Sequence, residues 1–327
     1  MMIDIYNRKI DYIRISVTDR CNLRCIYCMP EDGIKSVNHS EILSYEEIIH
    51  LCEAFAKIGI SKIKITGGEP LVRSDLAYLI EKIKNINGIN NVTLTTNGIL
   101  LEEQIDSLVK AGLDAVNVSI DALDESTYKY ITRIGNVSSV IRGINKALEY
   151  KNLTVKINCV PIDGTNGKQI LDITKMAKNK KLNVRFIELM PIGLGKKMNG
   201  LGEDEIKEII EEEFGELTPF NKSLGNGPSH YYSLEDFEGK IGFISAVSHK
   251  FCDKCNRVRL TSRGFLKTCL QYDKGINLKK MISDGENQEE LIDAIKTTIY
   301  NKPRKNRFLE INSHEDFEKH IMSEIGG

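Results

Sequence analysis

The chain has 327 residues, 41% hydrophobic and 28% charged, a balance that supports a large buried core and excludes a disordered chain. Forty-five Lys and Arg against forty-six Asp and Glu leave a net charge of -1, so no global field draws the protein to nucleic acid or to a membrane surface. Any anionic ligand must therefore be held by local charge. The N-terminal MMIDIYNRKIDYIRIS is charged throughout and lacks the apolar stretch and small-residue cleavage site of a secretory signal. No apolar run approaches the roughly 20 residues of a membrane span, so the expected location is cytoplasmic. In a reducing compartment, clustered cysteines point to metal or redox chemistry.

In chain order, short β-branched runs at 12–17 (YIRISV), 62–66 (KIKIT), 91–96 (NVTLTT), 115–120 (AVNVSI), 154–160 (TVKINCV) and 183–189 (NVRFIEL) alternate with stretches of helical periodicity. The alternation predicts six strand-helix units with parallel strands. After the first strand, SYEEIIHLCEAFAKIG opens on Ser44, three residues before Glu47, a capping-box spacing, and stops at Gly59. Cys52 and Cys159 stand alone in apolar surroundings and are expected in the core. Six units fall short of the eight of a full barrel, which leaves an incomplete (β/α)6 barrel or an open doubly wound sheet. After residue 192 the pattern changes: a Gly-rich loop, a charged helix EDEIKEIIEEEFG, and hairpin-like pieces KIGFISAV and RVRLTSRGFLKTCL around a turn at Arg263 and Gly264. Residues 1–192 are read as the core and 193–327 as a smaller second module.

Polar residues follow the strands: GGEP (67–70), TTN (95–97), SID (119–121) and ELMP (188–191). Ligands bind at the carboxyl ends of parallel strands, so these segments are expected to line one mouth. Just after the first strand come Cys21, Cys25 and Cys28. A closed zinc site takes four protein ligands, whereas a four-iron cluster on three thiolates keeps one iron open for a small molecule. A second triplet, Cys252, Cys255 and Cys269, allows two readings. One is a zinc ribbon completed by His249. The other is a second open cluster beside Arg257 and Arg259, whose alternate positions on a strand put both guanidiniums on one face, suited to phosphate.

The stretch Cys21-Asn-Leu-Arg-Cys25-Ile-Tyr-Cys28, with GGEP after the next strand, resembles the signature of radical S-adenosylmethionine enzymes. The resemblance implies a partial (β/α)6 TIM-like barrel and a [4Fe-4S] cluster on the first triplet. It also implies S-adenosylmethionine at the open iron, cleaved by one electron to a 5'-deoxyadenosyl radical. Cofactor contacts carried over by position are Tyr27, Gly67, Gly68, Glu69, Ser119 and Met190. The longer series RISVTDRCNLRCIYCMP, ITGGEPLVR, LTTNG, VNVSIDAL, RFIELMPIG, FCDKCNRVRL and the terminal GG is similar, over essentially the whole chain, to the family that cyclises GTP in the first step of molybdenum cofactor biosynthesis.

That narrower resemblance implies a second [4Fe-4S] cluster on Cys252, Cys255 and Cys269, whose open iron takes the guanine. A triphosphate clamp is implied at Arg14, Lys62, Lys64, Thr95, Lys156, Arg185, Arg257 and Arg259, with catalytic roles for Arg257, Arg259 and the tail glycines Gly326 and Gly327. Lys64 stands where family members often have Arg, and offers a point charge in place of a planar fork. The implied lyase reaction removes the ribose 3' hydrogen and closes a bond to C8, giving (8S)-3',8-cyclo-7,8-dihydroguanosine 5'-triphosphate. The implied partners are GTP, an electron donor of flavodoxin or ferredoxin type, and a downstream cyclic pyranopterin monophosphate synthase, with a homodimer as one oligomeric state and neither nucleic acid nor membrane. Two alternatives remain at this point: a radical enzyme acting on a peptide, for which the short N-terminus leaves no leader-recognition extension, and a non-catalytic iron-sulfur or zinc protein. The basic stretch NKPRKNRF is expected to form a solvated face.

Overall fold

The computed structural model describes residues 1–34, 37–310 and 317–326. Six strands, β1 (Tyr12–Ser16), β2 (Lys62–Thr66), β3 (Asn91–Thr96), β4 (Ala115–Ser119), β5 (Thr154–Cys159) and β6 (Asn183–Ile187), lie side by side in chain order, and each pair is parallel. A doubly wound sheet reverses its strand order part-way. The unbroken order excludes that alternative and gives the winding of the expected six-unit core.

The later strands are β7 (Thr218–Phe220), β8 (His230–Ser233), β9 (Ile241–Ile244), β10 (Arg257–Leu260), β11 (Phe265–Lys267) and β12 (Gly275–Asn277). They extend this same sheet on both sides: β9 pairs parallel with β6, and β10 parallel with β1, so the full order runs β12-β11-β10-β1 through β6-β9-β8-β7. The sheet is open, with β12 and β7 at its edges. The turn at Arg263 and Gly264 joins β10 to β11 as an antiparallel hairpin, with Gly264 at φ 78°. KIGFISAV supplies the second strand of an antiparallel hairpin with β8, and its strand β9 also pairs parallel with β6 on the other side.

Strand alternation decides which face is dry. Ile13, Ile15, Ile63, Ile65, Val92, Leu94, Val116, Val118, Val155, Ile157, Val184 and Phe186 join the apolar core beneath the helices, together with Cys52 and Cys159. The helix Tyr45–Lys57 shows why that layer forms where it does. Ser44 and Glu47 cap it reciprocally, its buried face carries Ile48, Leu51, Cys52, Ala54 and Phe55, and Gly59 follows at φ 95°.

Beyond the carboxyl ends, the loop leading to Cys21 is laced to the turn after β2. Gly68 N–H donates to the Thr18 carbonyl and Glu69 N–H to the Arg20 carbonyl, both at 2.7 Å. Only glycine permits this approach, since a Cβ on Gly67 would lie 2.7 Å from the Thr18 carbonyl oxygen and one on Gly68 2.5 Å from that of Asp19. Gly68→Ala is expected to cost about 1–3 kcal/mol of stability through overpacking. Gly227→Ala, where an added Cβ meets nothing within 4 Å, should be near neutral. Paired urea titrations check the contrast.

Candidate active site

The other face of the sheet is the floor of a cavity of about 420 Å³. Residues alternating with the core positions line it: Arg14, Lys64, Thr95, Lys156, Arg185, Arg257 and Arg259. Register brings them side by side. Arg14 lies opposite Arg259 on one neighbour and Lys64 on the other, and Asn117 lies opposite both Thr95 and Lys156. Adjacent strands are about 4.8 Å apart, so like charges crowd. Lys64 is held well below the usual lysine range by burial and then by Arg185, Arg14, Lys156 and Arg257. Burial and Arg185 bring Lys156 down to about 7, and Arg259 is lowered by burial, Arg14 and Arg257.

Part of this charge is fixed by neutral oxygens. Arg185 donates through one Nη to the side-chain carbonyls of Asn117 and Asn158, at 2.7 and 2.5 Å. Lys156 donates to the Leu224 carbonyl. Other donors stay unsatisfied: the Nε of Arg185 and one Nη of Arg257 are buried without a hydrogen-bond partner. A buried cation wall with spare donors calls for a multiply charged anion.

One expected contact is not brought to this wall. Lys62 sits two residues before Lys64 on β2, yet its ammonium pairs with Asp11 at 3.0 Å and lies outside the cavity lining. The sequence pattern carries the alternation but not this acidic partner.

At the carboxyl ends of the strands, Cys21, Cys25, Cys28, Tyr27, Gly67, Gly68, Glu69, Ser119 and Met190 line the same cavity. Burial pushes the first-triplet thiols up, Cys21 to about 11 and Cys28 to about 12. Glu69 is buried and accepts from Leu71 N–H, Thr96 Oγ1 and Asn97 N–H at 2.9, 2.7 and 2.6 Å, while burial raises it to about 7. Those bonds fix the orientation of its carboxylate. Tyr27 donates to Asp121 at 2.7 Å, and Asp121 also accepts from Val160 N–H at 2.8 Å. Burial pushes Asp121 up to about 6. Asp121 belonged to the flagged SID segment without an assigned part, and its place is to hold Tyr27.

Cys252, Cys255 and Cys269 line the cavity too. The tail reaches the same cavity: Met322 and Ser323 line it, and Arg259 Nη1 donates to the Gly326 carbonyl at 2.6 Å. Gly326, at φ 76°, packs so closely that a Cβ would come within 2.8 Å of Ser16 Cβ. Gly327 lies outside the described residues.

The sulfurs of neither triplet converge to the spacing of a single bound ion. Sulfurs around one zinc stand roughly 3.8 Å apart, given a Zn–S bond of about 2.3 Å. Among the described residues, the set of three potential ligand groups with atoms all within 4.8 Å is Asp273, Glu318 and His320, not a cysteine triplet, and Lys267 already pairs there with both carboxylates. His249, which the zinc reading needs, faces Glu203 and Asp204 at 3.9 Å each. Sulfurs in both triplets accept N–H bonds, as cluster thiolates do: Cys21 from Leu23 and Cys252 from Asn306, each at 3.4 Å.

The radical SAM superfamily model matches residues 15–177, and the Molybdenum Cofactor Synthesis C model matches residues 182–308. Proteins named GTP 3',8-cyclase align along the whole chain and over their own full length, at 47% identity in Clostridium perfringens, 45% in Desulforamulus reducens and 44% in Clostridium botulinum. The chain belongs to the GTP 3',8-cyclase family of radical SAM proteins. Among solved structures, Streptococcus suis SuiB, also known with S-adenosylmethionine bound, superposes with a TM-score of 0.62 at 14% identity, covering 91% of this chain and 68% of that one. That likeness shows a shared fold.

For this member of the cyclase family, the structure corrects one reading of the basic stretch. Arg304, Lys305 and Arg307 are exposed as expected, but Lys302 and Asn306 turn inward onto the cavity. Lys302 donates to the carbonyls of Arg257, at 3.0 Å, and Thr268. No periodic signal marks them, because the segment is a loop. The electrostatic result falls on Cys255: burial would raise it, yet Lys302 and Arg257 bring it down to about 6. In the metal-free protein at pH 7, Cys255 should therefore alkylate at least 100-fold faster than Cys21 or Cys28, on thiolate fraction. Peptide mapping after timed iodoacetamide treatment checks it; equal rates would contradict the charge arrangement.

Proposed function

We propose that this chain converts GTP to (8S)-3',8-cyclo-7,8-dihydroguanosine 5'-triphosphate, the first step of molybdenum cofactor biosynthesis. The supporting observation is that one cavity gathers both cysteine triplets, a buried Glu69 and a wall of Arg14, Lys64, Lys156, Arg185, Arg257 and Arg259. Its two ends differ in chemistry, as a substrate with a triphosphate and a base requires.

The first triplet would hold one [4Fe-4S] cluster and the second triplet another. With S-adenosylmethionine bound, the first cluster supplies one-electron chemistry able to take a hydrogen atom from carbon. Glu69 receives the amino group of S-adenosylmethionine, with Gly67 and Gly68 giving its backbone access. Tyr27, Ser119 and Met190 complete that subsite. Arg14, Lys64, Thr95, Lys156, Arg185, Arg257 and Arg259 take the triphosphate, which fixes the ribose relative to the first triplet. Lys64 contributes as a point charge, leaving planar recognition to the arginines beside it. Arg259 and the tail at Gly326 close the space between the two ends, excluding water and stray hydrogen donors. The electron comes from a small reduced carrier of flavodoxin or ferredoxin type, and the product passes to the synthase that makes cyclic pyranopterin monophosphate. The reaction runs in the cytoplasm.

The deciding experiment measures 5'-deoxyadenosine and nucleotide product from anaerobically reconstituted protein with dithionite, with and without GTP. The expected result is GTP-stimulated formation of both, lost in Cys21→Ala, with Cys255→Ala losing nucleotide cyclisation. Cleavage indifferent to GTP would transfer the proposal to a peptide substrate.

A pH effect follows from Lys156. Its pKa near 7 in the empty cavity means that phosphate binding above pH 7 must also capture a proton. The GTP Kd should therefore rise as pH rises above 7, by up to about tenfold per unit. Lys156→Met should bind more weakly and flatten that slope, as titration calorimetry between pH 6.5 and 8.5 would show.

A further inference from the structure

Arg8 belongs to none of the motifs and lies 13 residues before Cys21 in sequence, yet its side chain is 5% exposed and fully engaged. Nε donates to Asp4 Oδ2 at 2.6 Å. Nη1 donates to the carbonyls of Cys252 and Arg304 at 2.9 and 2.8 Å, and Nη2 to those of Pro303 and Lys302 at 2.8 and 3.3 Å. Asp4 is itself fixed, accepting the N–H groups of Tyr6 and Arg8 at 3.0 and 2.9 Å. The turn that presents the pair closes with an antiparallel bridge between Ile3 and Lys9 and has Asn7 at φ 61°. It docks through Ile5 N–H on the Tyr300 carbonyl at 3.0 Å, at the end of the helix Gln288–Tyr300.

The carbonyls gathered by Arg8 come from two places, and both serve the second triplet. Cys252 is its first member. The 302–306 segment supplies the Asn306 N–H to the Cys252 sulfur and the Lys302 ammonium to the carbonyl of Thr268, the residue before Cys269. Asn306 also anchors to the Ala246 carbonyl at 2.9 Å. Cut the link at Arg8, and four carbonyls, one buried and three part-buried, lose a charged donor while the loop bearing Cys252 parts from the segment that braces it.

We infer that Arg8 is a positioning residue for the second cluster: one guanidinium clamps the Cys252 loop to the distant 302–306 segment, which in turn braces the triplet through Asn306 at Cys252 and Lys302 beside Cys269. The role needs a planar fork with five donors. Lysine, with one nitrogen, could keep Asp4 company but could not span the carbonyls of both segments. The inference rests on the reading that Cys252, Cys255 and Cys269 hold iron. Arg8 has no hydrogen bond to the first-triplet loop among those described, so the first cluster should be indifferent to it.

The test compares anaerobically reconstituted wild type, Arg8→Lys, Arg8→Ala and the triple variant Cys252→Ala/Cys255→Ala/Cys269→Ala by iron and sulfide content, electron paramagnetic resonance and redox titration. Melting temperature and circular dichroism monitor folding. Wild type is expected near 8 irons per chain and the triple variant near 4. Arg8→Ala should fall toward the triple variant. Arg8→Lys, which keeps the charge and the fold, should hold an intermediate amount with a shifted second-cluster potential, and the S-adenosylmethionine-dependent change in the first cluster's signal should persist in all four. Full iron and an unchanged second-cluster potential in Arg8→Lys and in any folded Arg8→Ala would overturn the inference. Wild type carrying no more iron than the triple variant would overturn the two-cluster reading and the inference with it.

Discussion

Everything in this molecule is arranged around positive charges that one face of a parallel sheet forces together. Two unit charges about 5 Å apart in a partly desolvated site repel by roughly 3 kcal/mol at an effective dielectric near 20. Arg259, Arg14 and Lys64 stand on three adjacent strands in register, with Lys156, Arg185 and Arg257 nearby. An overall charge of -1 gives no hint of this, because the compensating acids lie elsewhere. An anion of several charges bound against this wall relieves that repulsion. The cost is borne by the apolar layer on the opposite face, where alternate residues of the same strands are fully buried beneath the helices.

A second constraint sits at the carboxyl ends of the strands. The loop that bears the first cysteines and the turn that bears Glu69 must lie against each other closely enough for backbone hydrogen bonds, and the paired glycines at 67 and 68 provide that approach. Thiols and carboxylate then face one space without depending on long, mobile side chains. The second triplet occupies one short span, 252–269, but its geometry depends on braces from outside that span: Lys302, Asn306 and, behind them, Arg8. Tail and N-terminus both contribute to the site, the tail through Ser323 and Gly326 and the N-terminus through Arg8.

What could be read in advance follows the range of the physical signals. Alternation with period 2 marks KIKIT and TVKINCV as strands and puts Arg257 and Arg259 on one face, whereas Lys64 and Lys156 were legible only through the family resemblance. Close spacing made Cys21, Cys25 and Cys28 legible, and turn chemistry marked GGEP. Pairing between distant segments leaves no local trace. Nothing in RVRLTS announces that it adds parallel to β1, or in KIGFIS that it adds parallel to β6, so the sequence does not reveal that strands of the later chain extend the sheet of the core. The same limit explains Lys62, whose partner Asp11 is 51 residues away, and Arg8, whose partners lie 244 to 296 residues away. Lys302 and Asn306 were hidden for another reason: a basic loop has the composition of a solvated surface, and only tertiary contact turns two of its side chains inward.

The account's central claim is that the cation wall is built for the phosphate chain of a nucleotide. The most direct measurement is the melting temperature of the anaerobically reconstituted protein against GTP, GMP and guanosine at equal concentrations and constant ionic strength. A ligand at 100 times its Kd stabilises by about 2.7 kcal/mol, so the account predicts a rise of several degrees with GTP, a smaller one with GMP and the smallest with guanosine. Added salt should narrow the difference. Equal shifts for all three, or a larger one for guanosine, would contradict it.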